Sequence, residues 1–151
     1  MNKISQRDKS LFHPSLCSGK ERKLIKKIAQ KYSLETLLLF GSRVSCKTHK
    51  ESDFDIAYLS RRNLNLEDEA KLICDLMPIF KSERIDLANL KKAPPLLLFT
   101  ITNDCRILYE KNPLIFSALR AYGFKKYIEA KPLYEEKFKR IDRKLEEIKL
   151  K

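Results

Sequence analysis

The sequence predicts an α/β (α+β) domain with a small mixed β-sheet flanked by helices, and three observations carry that expectation. Segments with helical apolar spacing alternate with short segments of strand character along the chain. One strand candidate, Thr36–Phe40, is a short apolar run stopped by Gly41, the pattern of a strand covered on both faces. The total of 151 residues suits one core with little room for a second lobe.

Ser18 is the expected N-cap of a first helix reaching about Ser33, with Leu24, Ile25, Ile28 and Tyr32 as its apolar stripe. Thr36–Phe40 follows as the buried strand, and the polar residues 42–52 as a turn or short helix. Phe54, Ile56 and Tyr58 alternate with Asp53, Asp55 and Ala57, so the next strand has one face that starts acidic. Asn65 caps a helix to Phe80, with Leu66, Ala70, Ile73, Leu76, Met77 and Phe80 at helical spacing and acidic residues in its first turn. Arg84–Leu90 is a third strand, with Ile85 and Leu87 inward and Asp86 outward. Pro94 and Pro95 open a helix to about Asn103, and Arg106–Glu110 is a short extended piece. Asn112–Tyr127 is then helical, and Pro132 is expected to start a separate last helix. The division that follows is a flexible lead-in over 1–17, a domain over 18–130 and a C-terminal helix over 131–151.

Lys and Arg outnumber Asp and Glu by 32 to 20, a net +12 that points to an anionic partner. The excess is terminal: residues 1–33 carry +7 and residues 111–151 carry +6, whereas 34–60 carry −1 and 61–110 balance. Basic ends leave RNA contact open, but no aromatic-basic recognition motif supports a dedicated RNA-binding fold. With 43% hydrophobic residues the chain is expected to fold rather than remain a disordered basic tail. No run approaches the roughly 18 apolar residues of a membrane span, and no apolar leader is evident, so no membrane contact and a cytoplasmic location are expected. Cys17, Cys46, Cys74 and Cys105 form no CxxC pair and accompany only two histidines, which argues for plain reduced thiols.

The chemistry concentrates between residues 41 and 55. The buried strand ends at Gly41-Ser42, ten residues intervene, and the next strand opens Asp53-Phe54-Asp55. Side chains two apart on a strand share a face, so Asp53 and Asp55 present two carboxylates to one point, an arrangement that requires cations. Mg²⁺ ions, two of them, held partly by carboxylate and partly by substrate phosphate answer that need. Asp86, outward on the third strand, is the candidate third carboxylate. Gly41 lets backbone approach a triphosphate, the Ser42 hydroxyl and adjacent amides can bond its phosphates, and Arg43, Lys47 and Lys50 can offset its charge. Taken singly, Gly-Ser is a common turn and Asp-x-Asp a common strand start. His49, His13, Cys17 and Cys46 show no orienting partner and read as ordinary residues.

Taken together, Gly41-Ser42-x10-Asp53-x-Asp55 resembles the signature of the DNA polymerase β-like nucleotidyltransferase superfamily, in its branch of minimal nucleotidyltransferases. Arg84-Ile85-Asp86-Leu87-Ala88-Asn89 and Arg106-Ile107-Leu108-Tyr109-Glu110 are similar to the subgroup that serves as type VII antitoxin beside a HEPN-type RNase toxin. The resemblance implies Asp53, Asp55 and Asp86 as catalytic, metal-binding carboxylates, with Gly41, Ser42 and Arg43 at the nucleotide. It further implies AMP transfer from ATP to a toxin hydroxyl, a tyrosine. Asn89 departs from the subgroup, in which an acidic residue often stands there, and strand parity favours Asp86 as third ligand. Transfer to a small molecule or RNA, and a non-catalytic antitoxin that masks its toxin, are the alternatives. Tyr134, Phe138, Ile141, Leu145 and Ile148 recur at spacings of 4, 3, 4 and 3, a seam for the chain's own core, a partner or a second copy.

Overall fold

The computed structural model describes residues 18–44 and 53–149. The chain opens with α1 (Gly19–Lys31), where Ser18 and Glu21 form a reciprocal capping box. β1 (Leu34–Phe40) leads into a single 3₁₀ turn, Gly41–Arg43, and β2 spans Phe54–Ser60. Next come α2 (Leu66–Phe80), capped by Asn65 and Asp68 in the same reciprocal manner, and β3 (Ile85–Asn89). The chain continues through α3 (Pro95–Asn103), β4 (Cys105–Glu110) and α4 (Pro113–Lys149).

The four strands form one mixed sheet in the order β3-β2-β1-β4. β1 is antiparallel to β2 and to β4, whereas β2 and β3 are parallel and joined through α2. Strand alternation splits the core in two. Leu37, Leu39, Ile56 and Tyr58 pack beneath α1 and α2, and Leu38, Ala57, Leu90 and Cys105 pack beneath α3 and α4. Central β1 and β2 are thus covered on both faces, which explains the apolar run at 37–40.

The elements begin and end within two or three residues of the expected positions, with two corrections. On α1 the buried stripe is Ile25, Ala29 and Tyr32, with Leu24 at the surface; on α2 it is Leu72, Leu76 and Ile79, while Leu66 is exposed. The interruption expected between Tyr127 and Pro132 is absent, because Asn112–Tyr127 and the segment after Pro132 merge into the single 37-residue α4. Proline removes one backbone hydrogen bond there, yet Ile128, whose carbonyl loses its donor, lies at the water-exposed surface. Glu129 meets Lys125 and Lys126, Lys131 meets Glu135, and Glu136 meets Arg140, bridging the helix on both sides of the proline. Of the occupants open to the last seam, the chain's own core meets only its first residue, Tyr134, and residues 135–149 are all exposed. None of the helices described is long and apolar enough to cross a membrane.

Candidate active site

β1 ends where its backbone must turn out of the sheet. Gly41 makes that turn at φ +77°, in the left-handed region that favours glycine. A Cβ at this position would also collide with the carboxylate of Asp55, so Gly41 is required by the backbone and by its neighbour together. The turn carries Ser42 and Arg43, and the Arg43 guanidinium lies 4.0 Å over the ring of Phe54. Phe54 in turn rests against Phe80 at 4.9 Å, which anchors the arginine to α2.

Asp55 pairs across the sheet with Phe40 on one side and with Asp86 on the other. Paired residues on adjacent strands share a face about 4.8 Å apart, so Asp55 and Asp86 are neighbours on the face covered by α3 and α4. Asp53, two residues before Asp55, precedes β2 at the same end. Burial raises the Asp55 pKa above the ordinary carboxylate range, and the negative charges of Asp86 and then Asp53 raise it further. A half-buried carboxylate facing two others suits a divalent metal. These residues do not form a closed three-ligand cage among the described residues. Magnesium accommodates that openness, because it takes several of its ligands from water and substrate phosphates.

The structure thus brings Asp55, Asp86 and Gly41 together, with Asp53, Ser42 and Arg43 adjoining them in sequence. Asn89 lies elsewhere: it pairs with Tyr58, on the sheet face opposite Asp86, and its side chain accepts a hydrogen bond from the Lys91 backbone. Cys46, Lys47, His49 and Lys50 fall within 45–52, and His13 and Cys17 within 1–17, outside the described residues. Sequence reasoning missed the Phe54 seat for Arg43. It also missed a groove of about 510 Å³ between α3 and α4, lined by Phe99, Thr102, Asn103, Ser117, Arg120 and Phe124. The groove adjoins the start of β4, where Cys105 pairs with Phe40, the same residue that pairs with Asp55. Burial pushes the Cys105 thiol up to about 12, so it is no nucleophile. Only the sheet register links these residues, and their separation in sequence gives no sign of it.

A glycine turn and an acidic strand pair on a mixed sheet are consistent with a nucleotidyltransferase. A family model described as "Polymerase beta, Nucleotidyltransferase" matches residues 23–114, and the chain belongs to that family. No curated protein matches the sequence. Among solved structures, a toxin–antitoxin with AMP-PNP is similar at 23% identity and TM-score 0.66, with 82% of this chain and 98% of that chain covered. A tri-AMPylated Shewanella oneidensis HEPN toxin in complex with MNT antitoxin gives 22% identity and TM-score 0.62, covering 83% and 97%. The MntA–HepT toxin–antitoxin gives 21% and 0.62, covering 85% and 99%. At these identities the likeness is one of fold.

Proposed function

We propose that this nucleotidyltransferase is an antitoxin that transfers AMP from ATP to a tyrosine hydroxyl of a cognate HEPN RNase toxin. The observation that carries the reading is the juxtaposition of Asp55 and Asp86 on one sheet face, at the turn that carries Gly41 and Ser42. The fold-level match along nearly the whole length of chains from solved toxin–antitoxin complexes, one with AMP-PNP and one with an MNT antitoxin, supports it.

In this reading Asp53, Asp55 and Asp86 would hold Mg²⁺, which would supply charge neutralisation and a more acidic acceptor hydroxyl. The amides of the 41–43 turn and the Ser42 hydroxyl hold the triphosphate. Arg43, on the same turn, is seated on Phe54, whose ring belongs to the α1/α2 face, so any offset of the triphosphate charge acts from the strand end rather than from beside Asp55. The tyrosine oxygen forms a bond to the α-phosphorus while the bond from that phosphorus to the bridging oxygen breaks. Pyrophosphate leaves, and the phenol proton passes to water. The groove beside β4 offers space for the acceptor's flanking residues.

Labelled ATP, Mg²⁺ and the product of an adjacent reading frame provide the test. Label appears on that product with the native chain and is lost with D53N/D55N. If the double variant still protects cells from the neighbouring toxin, masking by binding is the better account. Label on RNA or a small molecule instead would assign a different acceptor.

A further inference from the structure

β3 carries Asp86 at an edge of the sheet. In the order β3-β2-β1-β4 it is hydrogen-bonded to β2 alone among the described strands. The Arg84 carbonyl accepts from the Phe54 amide and the Leu90 amide donates to the Tyr58 carbonyl, each at 2.9 Å, so the even-numbered residues of β3 turn their backbone groups toward β2. Successive residues of a strand alternate in this respect, and Ile85 and Leu87 therefore aim their amides and carbonyls away from the sheet. Asn89 closes the row, because its carbonyl accepts from the Lys92 amide at 3.1 Å. A short run of backbone donors and acceptors thus lies beside the exposed side chain of Asp86.

The sheet order selects what this edge would meet. Gly41, at the end of β1, and Asp86, on β3, flank Asp55 of β2 from opposite sides. A triphosphate held at the 41–43 turn would put its departing pyrophosphate on the β1 side of Asp55. In-line displacement sets the attacking oxygen opposite the leaving one, so the acceptor hydroxyl would arrive from the β3 side. Farther along the same face the way is closed, because Leu98 and Ile101 of α3 and Leu119 of α4 share a core with Ala57 and Leu90. We propose that β3 receives the acceptor as an extended segment of the partner protein, added to the sheet edge as one more strand with its tyrosine on the Asp86 face. Residues paired across adjacent strands share a face about 4.8 Å apart, and an aromatic side chain opposite Asp86 or two residues off it can reach the carboxylates. The outward backbone groups of Ile85 and Leu87 supply affinity, and pockets for alternate side chains supply choice. Lys91 and Lys92, both exposed where β3 leaves the sheet, favour acidic residues about five positions from the tyrosine. The groove between α3 and α4, on the β4 side, is left for parts of the partner beyond that segment. The inference rests on the AMP transfer proposed above and adds the conformation in which the acceptor is read.

A short peptide centred on the tyrosine that takes AMP in the adjacent reading frame's product tests it, with the full chain, ATP and Mg²⁺. Single backbone N-methylations along the peptide remove one amide donor at a time. Those at every second residue are expected to lower kcat/KM for labelling by about tenfold or more, and those between them by less than about twofold. L87P deletes an outward donor and leaves the bonds to β2 in place, so it is expected to lower transfer likewise while ATP affinity and circular dichroism hold. The methylation scan leaves the chain unaltered and stands on its own if L87P does not fold. K91E/K92E is expected to reverse a native preference for glutamate over lysine in the peptide's flanks. Losses without alternation, or a peptide left unlabelled while the whole product takes AMP, would overturn the proposal. So would sedimentation showing a native dimer that L87P dissociates, because a second copy would then hold the edge. A whole product that takes no AMP would instead remove the transfer itself, and this inference with it.

Discussion

At the scale of single residues, Gly41 has the least freedom to change. G41A would place a Cβ at φ +77° and against Asp55, so it is expected to lower stability by about 1–3 kcal/mol in denaturant unfolding and to depress AMP transfer. Asp86 and Asn89 provide a sharper contrast. D86N is expected to cut transfer by about a hundredfold or more, as loss of one charged group at a transferring phosphate does. N89D, on the opposite face, leaves the rate within about twofold of native, and its carboxylate can still accept the Lys91 backbone hydrogen bond. Initial-rate measurements with both variants settle the third carboxylate, and equal losses would contradict the assignment. The Gly-Ser-x10-Asp-x-Asp spacing was legible because strand parity alone places Asp53 and Asp55 on one face. Asp86 followed from the same parity. The seat of Arg43 on Phe54 was not legible, since it depends on a turn geometry and on Phe80 from a distant helix.

At the scale of elements, caps and periodicity told most of the story. Ser18 and Asn65 sit where a side-chain oxygen can accept from a helix's first free amides, so both starts were readable. Pro132 misled, because the rule that proline breaks helices assumes a helix with no compensating ion pairs and no solvent for the freed carbonyl. Which residues of α1 and α2 are buried depends on how the helices lie on the sheet, and that is invisible in either helix alone. Their mutual contact is fixed by Asp75, which accepts hydrogen bonds from the Lys31 ammonium and the Tyr32 hydroxyl, each at 2.7 Å. The Lys31 hydrogen bond is the largest cause holding the Asp75 pKa below its ordinary value, and Tyr32 adds to it. Because the folded pKa is lowered, the stabilisation is present above the unfolded carboxylate pKa and is lost as pH falls below about 4. D75A should therefore cost about 1 kcal/mol at neutral pH through the stranded Tyr32 hydroxyl and the lost ion pair. The gap from native is expected to narrow in unfolding titrations carried from pH 6 down toward pH 3.

For the whole molecule, the net charge of +12 concealed its own distribution. The terminal segments carry +7 and +6, while residues 34–60, which hold Gly41, Asp53 and Asp55, sum to −1. In the proposed reading a triphosphate at this site would meet metal ions more than lysines, and the basic ends would be left for macromolecular surfaces. Charge reversal of Lys137, Lys139 and Lys144 is expected to weaken partner association by about tenfold or more and to steepen no salt dependence of ATP binding. Titration calorimetry with ATP and with the partner separates the two, and an equal loss of ATP affinity would contradict the division. The central claim is the transfer itself. Intact-mass spectrometry of the adjacent reading frame's product, after incubation with ATP, Mg²⁺ and this chain, tests it most directly. The mass of one or more AMP units is expected on that product with the native chain and none with D53N/D55N; an unmodified product, or equal modification by both, would contradict the transfer.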